Sequence, residues 1–117
     1  MHQHHTLNYV EFATTQLETT KQFFTQVFDW RFEDYGPEYS AFNGQGLDGG
    51  FYAMTASKQI VTSTAPLLVL YSRDLENSQI QVEAAGGYIS KAIFEFPGGR
   101  RFHFTEPGGN ELAVWSE

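Results

Sequence analysis

The chain has 117 residues, of which 14 are acidic and seven are Lys or Arg, so its formal net charge is −7 and its isoelectric point lies near 4.9. This balance argues against nucleic acid or an anionic membrane surface as a partner, because both require clustered positive charge. The absence of cysteine excludes disulfides and thiolate chemistry. No apolar run is long enough to span a bilayer and no secretory segment is recognisable, so we expect a single domain, 1–117, located in the cytoplasm.

The first element in the chain is a predicted strand at residues 7–13. Its residues alternate, with Val10 and Phe12 on the apolar face and Tyr9 and Glu11 on the other. A strand with two such faces lies between an apolar layer and a second environment. What the Tyr9 face contacts is therefore one of the questions that decide the function.

A helix is predicted over 17–28, preceded by two possible N-caps, Thr14 and Thr15. Asp29 follows the helix, where a left-handed C-cap is common, and Asp tolerates that conformation. Apolar and small side chains recur at helical spacing and predict one buried stripe. The members of this stripe are Leu17, Thr20, Phe24, Val27 and Phe28.

Beyond the helix the hydrophobic period changes to two, which predicts short strands. They are expected at 30–34, 39–42 and 51–54, with the glycine-rich residues 43–50 forming a loop. The Ser, Thr, Ala and Lys residues of 56–65 are typical of a linker. A second series then follows, comprising strands at 67–71 and 88–96, a helix at 74–85 stopped by Gly86-Gly87, and a final hairpin of 101–105 and 111–115.

The final hairpin turns at Glu106-Pro107-Gly108-Gly109-Asn110, where Pro fixes one φ angle and the glycines permit positive ones. One face of its strands is apolar and the other is mixed. The apolar set is Phe102, Phe104, Leu112 and Val114, and the mixed set is Arg101, His103, Glu111, Ala113 and Trp115.

The two halves of the chain repeat one pattern. Leu17-Glu18 recurs 58 positions later as Leu75-Glu76, and the same offset superimposes strand, helix, stop and following aromatic residue. We therefore predict a duplicated strand-helix-three-strand module.

This arrangement resembles the vicinal oxygen chelate superfamily, which contains glyoxalases, bleomycin- and fosfomycin-resistance proteins and extradiol dioxygenases. The resemblance rests on residues 8–12 leading into 17–24, on Val27-Phe28-Asp29-Trp30, and on 102–115 around the hairpin turn. It implies an α+β fold in which two βαβββ modules, 6–55 and 66–116, form an eight-stranded half-open cup. The apolar faces of the strands would meet the helices, and the mixed faces would line the cup or meet a partner subunit.

Metal-dependent members of that superfamily take His and Glu ligands from four strand positions. By the resemblance these positions fall here on Tyr9, on Leu67, on Ala113 and near Gly50 or Phe51. None of these residues offers an imidazole or a carboxylate, so no metal and no other cofactor is predicted. An atypical site that uses His103 and Glu11 remains an alternative.

The predicted ligand-binding residues are those of the mixed strand faces. Aromatic side chains suit planar ligands, Arg101 could clamp an anion, and His103 could donate, accept or transfer a proton near neutrality. Glu11 could pair with Arg101 or His103 and orient the imidazole for proton transfer, which makes His103 with Glu11 the candidate catalytic pair. The alternative for Glu11 is a structural ion pair or a solvated carboxylate at the rim of the cup. The full set is Tyr9, Glu11, Leu67, Tyr71, Arg101, His103 and Trp115.

The first functional hypothesis is a metal-free protein that sequesters or senses an aromatic or amphipathic small molecule, as bleomycin-resistance proteins do. The alternative is a lyase or isomerase of the glyoxalase type that uses His103 and Glu11 or an atypical metal. A third possibility is a cup filled by its own side chains in a protein that acts only as a subunit. Small members of the superfamily often pair, so a homodimer is expected.

Overall fold

A computed structural model describes residues 4–55 and 65–117, so the predicted linker lies outside the described residues except for residue 65. No helix in these two ranges is long and apolar enough to cross a membrane. The first module contains β1 (Tyr9–Thr14), α1 (Leu17–Phe28), β2 (Phe32–Asp34), β3 (Tyr39–Phe42) and β4 (Asp48–Ala53). The second contains β5 (Leu68–Tyr71), α2 (Leu75–Ala84), β6 (Tyr88–Phe96), β7 (Gly99–Thr105) and β8 (Glu111–Ser116).

The strands form two four-stranded sheets of the same topology. The first sheet has the order β1-β4-β3-β2 and the second has the order β5-β8-β7-β6. In each sheet the first strand of the module runs parallel to the last, and the other pairs are antiparallel. The predicted α+β class and the duplicated βαβββ module are confirmed.

Helix α1 packs between the inner faces of both sheets. The Phe24 ring lies 5.3 Å from Phe51 of the first sheet, and the Phe23 ring lies 5.7 Å from Phe104 of the second. Phe23 is only 1% exposed, although it is absent from the predicted stripe. The prediction was too narrow because a helix that touches two sheets buries more of its circumference than one stripe.

The ends of α1 match the sequence prediction in part. Asp29 has φ 61° and ψ 32°, so the predicted left-handed C-cap is confirmed. The N-cap is Gln16, which makes no side-chain capping bond. Thr14 belongs to β1 instead, and its hydroxyl accepts a 3.0 Å hydrogen bond from the Gln16 backbone N–H.

Strand β4 begins three residues earlier than predicted, because Asp48, Gly49 and Gly50 belong to it and not to a loop. A Cβ at Gly50 would overlap the Tyr39 hydroxyl, and a Cβ at Gly49 would overlap the Val10 carbonyl. These glycines are therefore required by close approach within the sheet and not by a turn. Sequence alone does not distinguish the two uses of glycine.

The hairpin turn between β7 and β8 joins the two modules. Glu106 is 1% exposed, and its carboxylate accepts hydrogen bonds from the Thr20 hydroxyl (2.8 Å), the Gly108 N–H (2.7 Å) and the Asn110 amide (2.8 Å). The same Asn110 amide donates to the Ala13 carbonyl of β1 at 2.6 Å. A buried carboxylate thus links α1, the end of β1 and the last hairpin.

Candidate functional site

The outer face of the second sheet, which points away from the helices, brings together most of the predicted site. The strand register sets two rows of side chains across it. One row is Tyr71, Trp115, Arg101 and Phe94, and the other is Val69, Ala113, His103 and Lys91. Four strands thereby hold aromatic and basic groups side by side.

Arg101 lies between two phenylalanine rings in the first row. Its guanidinium carbon is 5.3 Å from the ring centroids of both Phe94 and Phe96. Planar guanidinium groups favour such positions, since the ring faces attract the cation and leave the N–H edges free to bind. The Arg101 Nε atom is buried and has no hydrogen-bond partner among the described residues.

Beside Arg101 is a cavity of about 400 Å³, which we call the outer pocket. Trp115 forms one wall, with its ring 6.3 Å from Phe96 and 5.1 Å from Tyr71. The residues that line it are Val69, Phe96, Pro97, Gly98, Arg101 and Trp115. It is an apolar pocket with one cationic group, a composition that suits small organic ligands.

His103 is 7% exposed and lies in the second row. Its Nδ1 atom is 3.6 Å from Glu111, and its buried Nε2 atom has no partner among the described residues. Burial lowers the pKa of His103, and the positive charge of Arg101 lowers it further, while Glu111 opposes both effects. The imidazole is therefore neutral at pH 7, and can act as an acceptor or a base.

Tyr9 and Glu11 lie on the outer face of the first sheet, apart from His103. The Tyr39 hydroxyl contacts the Tyr9 hydroxyl at 2.5 Å and donates to Glu11 at 3.0 Å. Burial, followed by these two contacts, raises the pKa of Tyr39. The expected pairing of Glu11 with Arg101 or His103 is not found between the described residues, because each sheet supplies its own partners.

Two further predicted residues lie at the edge of the second sheet. Tyr71 is 53% exposed, and its hydroxyl donates to Glu117 at 2.5 Å. The hydrogen bond to Glu117 is the main reason that the pKa of Tyr71 is raised. Leu67 is half-buried and immediately precedes β5, so it lies one residue outside the observed strand although the predicted strand, 67–71, included it.

A larger cavity of about 580 Å³, the inner cleft, lies at the edge strands β1 and β5 and is lined by residues of both strands, including the outward-facing Val69 and Tyr71. Trp30 and Phe42 of the first module contribute to its wall. Further lining residues are Val10, Phe12, Phe28, Leu68, Leu70 and Leu112. The alternation of apolar residues predicts that these strand residues meet the helices, because an apolar face has the same pattern whether it contacts a helix or a cavity.

The four positions implied for a metal do not fit a divalent cation. The Tyr9 hydroxyl is bonded to Tyr39, whose hydroxyl end also lies over Gly50. Ala113 and Leu67 have hydrocarbon side chains without a ligand atom. Within residues 4–55 and 65–117, no three His, Asp or Glu side chains are grouped as a metal site would require.

The sequence model of the glyoxalase/bleomycin resistance protein/dioxygenase superfamily matches residues 6–114 of this chain. The chain belongs to that superfamily. The resemblance predicted from three motifs is thus confirmed over nearly the whole length. None of the curated proteins compared with the chain matches it.

Solved structures of other superfamily proteins share the fold at low sequence identity. A glyoxalase-related enzyme from Fulvimarina pelagi is 19% identical, with a TM-score of 0.79, and the match covers 97% of this chain and 88% of that one. The fosfomycin resistance protein FosX from Listeria monocytogenes is 13% identical, with a TM-score of 0.77 over 96% and 93% of the two chains. A lactoylglutathione lyase from Agrobacterium tumefaciens is 14% identical, with a TM-score of 0.70 over 96% and 93%.

Proposed function

We propose that this superfamily member binds an aromatic or amphipathic small molecule in the outer pocket and thereby sequesters or senses it. The observation that carries the proposal is the pocket between Arg101 and Trp115, which combines flat apolar walls with one cation. The names of structural neighbours, which include resistance proteins and a lyase, agree with small-molecule binding in this superfamily.

We also propose that binding needs no metal. The support is the chemistry of the four implied ligand positions, where a phenol, an isobutyl group, a methyl group and either a glycine or a phenyl ring stand. The Tyr39 hydroxyl end overlies the glycine and leaves no room for a side chain there. A protein that had retained the metal would need at least one imidazole or carboxylate at these positions.

A homodimer is the third part of the proposal. The exposed aromatic side chains Tyr9 and Tyr71 suit burial against a second copy of the chain. Light scattering after size exclusion would measure the mass, and a mass of 13.3 kDa at high concentration would contradict the dimer. The cytoplasmic location stays a prediction.

The second candidate function is a lyase or isomerase of the glyoxalase type. It is favoured by the neutral His103 imidazole, whose Nε2 atom has no partner among the described residues. A glyoxalase assay with and without divalent ions, repeated on His103→Ala, tests it. Turnover that disappears in this variant would replace the binding proposal.

The binding proposal is tested by thermal shift with a panel of neutral and charged aromatic compounds. Each compound is measured in EDTA and again with zinc, nickel, manganese or iron. We expect stabilisation by some compounds in EDTA, at the same concentrations as with metal, since a ligand that binds only the folded state raises the unfolding temperature. Stabilisation that appears only with a metal would overturn the metal-free proposal, and Trp115→Ala should abolish the effect of the active compounds.

A further inference from the structure

The outer pocket contains a cation that the protein itself does not neutralise. Lys21 pairs with Glu18 and Asp34, and Arg100 pairs with Glu76. Arg101, like Arg31, Arg73 and Lys91, makes no ion pair among the described residues, although acidic side chains outnumber basic ones 14 to seven in this chain. What distinguishes Arg101 from these three is that its guanidinium carbon lies over two aromatic rings. An unpaired guanidinium between two rings in an acidic protein needs a reason.

The neighbours of Arg101 concentrate positive charge further. Lys91 lies over the face of Phe94 at 5.4 Å from the ring centroid, and Arg101 lies at 5.3 Å from the same centroid. Two cations therefore approach one ring: Arg101 is half-buried, with its Nε atom out of contact with solvent, and Lys91 is exposed. A bound anion would offset their mutual repulsion and gain a charge-assisted contact.

The lining of the pocket determines the shape and polarity of the rest of the ligand. The Arg101 guanidinium carbon lies over both the Phe94 and the Phe96 ring, 5.3 Å from each centroid, so an anion would meet the N–H groups at an edge that these rings leave open. A carboxylate matches that edge, because its two oxygens can accept parallel N–H bonds. Val69 and Trp115 line the remainder of the pocket and favour a flat apolar body.

We infer that the outer pocket selects aromatic carboxylates, with the carboxylate at Arg101 and the ring system against Trp115. This inference rests on the proposed function, since it names the class of ligand for the same pocket. It goes beyond that proposed function because it makes the charge of the ligand the main determinant of selectivity. Neutral aromatic compounds of the same shape are expected to bind much more weakly.

The test compares 2-naphthoate with its neutral amide, 2-naphthamide, by calorimetric titration of the full chain in EDTA. We expect naphthoate to bind at least about tenfold more tightly, because charged hydrogen bonds contribute more than neutral ones. Added sodium chloride should weaken naphthoate binding and leave the amide unchanged.

The matched variants are Arg101→Gln and Arg100→Gln, which change neighbouring residues of β7. Arg100 pairs with Glu76 of α2 and is not a pocket residue, so its variant should bind naphthoate as the parent does. Arg101→Gln should remove the preference for naphthoate over naphthamide. Arg101→Lys keeps the charge without the planar fork, so it should show an intermediate preference for naphthoate. It serves as the test if Arg101→Gln fails to fold.

Equal binding of the two probes, or a preference that survives Arg101→Gln, would overturn the inference and leave the proposed function intact. Binding of neither probe would also overturn it. The proposed function fails separately, when no compound of the wider panel stabilises the protein.

Discussion

The Thr20 hydroxyl of α1 donates a 2.8 Å hydrogen bond to the carboxylate of Glu106, which lies 86 residues further along the chain. Thr20 also contacts the Thr14 hydroxyl at 2.7 Å, and in the second module Ser78 contacts Ser72 at the same distance. The duplicated modules thus share a pair of hydroxyls at the strand-helix junction. Among the described residues, only the first pair contacts a buried carboxylate from the other module.

Replacement of Glu106 by Gln should destabilise the protein strongly. The carboxylate accepts hydrogen bonds from the backbone N–H and the side-chain amide of Asn110. The NH₂ group of a Gln side chain would face such donors instead of accepting from them. Buried donors left without acceptors cost about 2 to 4 kcal/mol in the free energy of unfolding. Urea denaturation measures this loss.

The control for that measurement is Glu38→Gln, because Glu38 is exposed in the turn before β3. Its effect should stay within about 0.5 kcal/mol, as for most surface substitutions. Similar free energies of unfolding for the two variants would mean that the hydrogen bonds of Glu106 do not stabilise the contact between the modules.

Gly50→Ala should destabilise the first sheet by displacing Tyr39. The added Cβ would overlap the Tyr39 hydroxyl and ring, and such overpacking costs about 1 to 3 kcal/mol. In a Tyr39→Ala background the same substitution should cost much less, since the obstructing ring is gone. A double-mutant cycle by chemical denaturation measures the coupling, and additive effects would contradict the contact.

The stability of the protein should fall as the pH drops from 7 towards 5. Burial and the charges of Arg101 and Lys91 hold the pKa of His103 below its ordinary value of 6.5, against the opposing effect of Glu111. The unfolded chain therefore binds a proton in this range before the folded state does, which favours unfolding.

Denaturation between pH 5 and 8 would measure this slope, and His103→Gln should reduce it. The pKa of Asp34 is lowered by Lys21 and that of Glu76 by Arg100, and each contributes only at more acidic pH. A slope that is unchanged in the variant would show that His103 is not buried in the neutral form.

The elements of the fold were predictable because their signals are local. The helix at Leu17–Phe28 and the strands at Tyr39–Phe42 and Tyr88–Phe96 have the predicted bounds, since periodicity and terminal residues define them. The repeat at an offset of 58 then predicted that the same order of elements occurs twice. The role of Glu106 was not predictable, because a glutamate before Pro-Gly-Gly is typical of an exposed turn, and only its contact with Thr20 reveals its burial.

The candidate site was predictable to the level of sheet faces and no further. Alternation placed Arg101, His103 and Trp115 on one face correctly, because strand register preserves parity. The hypothesised partnership of Glu11 with His103 is not found between the described residues, because it depended on how two separate sheets lie relative to each other. No periodicity within one strand carries that information. For the same reason the sequence did not predict the inner cleft, which lies at the edge strands of both sheets.

The two tryptophans allow the central claim to be tested directly, because Trp30 lines the inner cleft and Trp115 lines the outer pocket. The measurement is fluorine NMR of protein labelled with 5-fluorotryptophan, titrated with 2-naphthoate in EDTA, with resonances assigned through Trp115→Phe. A saturable shift of the Trp115 resonance, with Trp30 unchanged, is the predicted result. A shift confined to Trp30, or one that appears only after a divalent metal is added, would contradict the account.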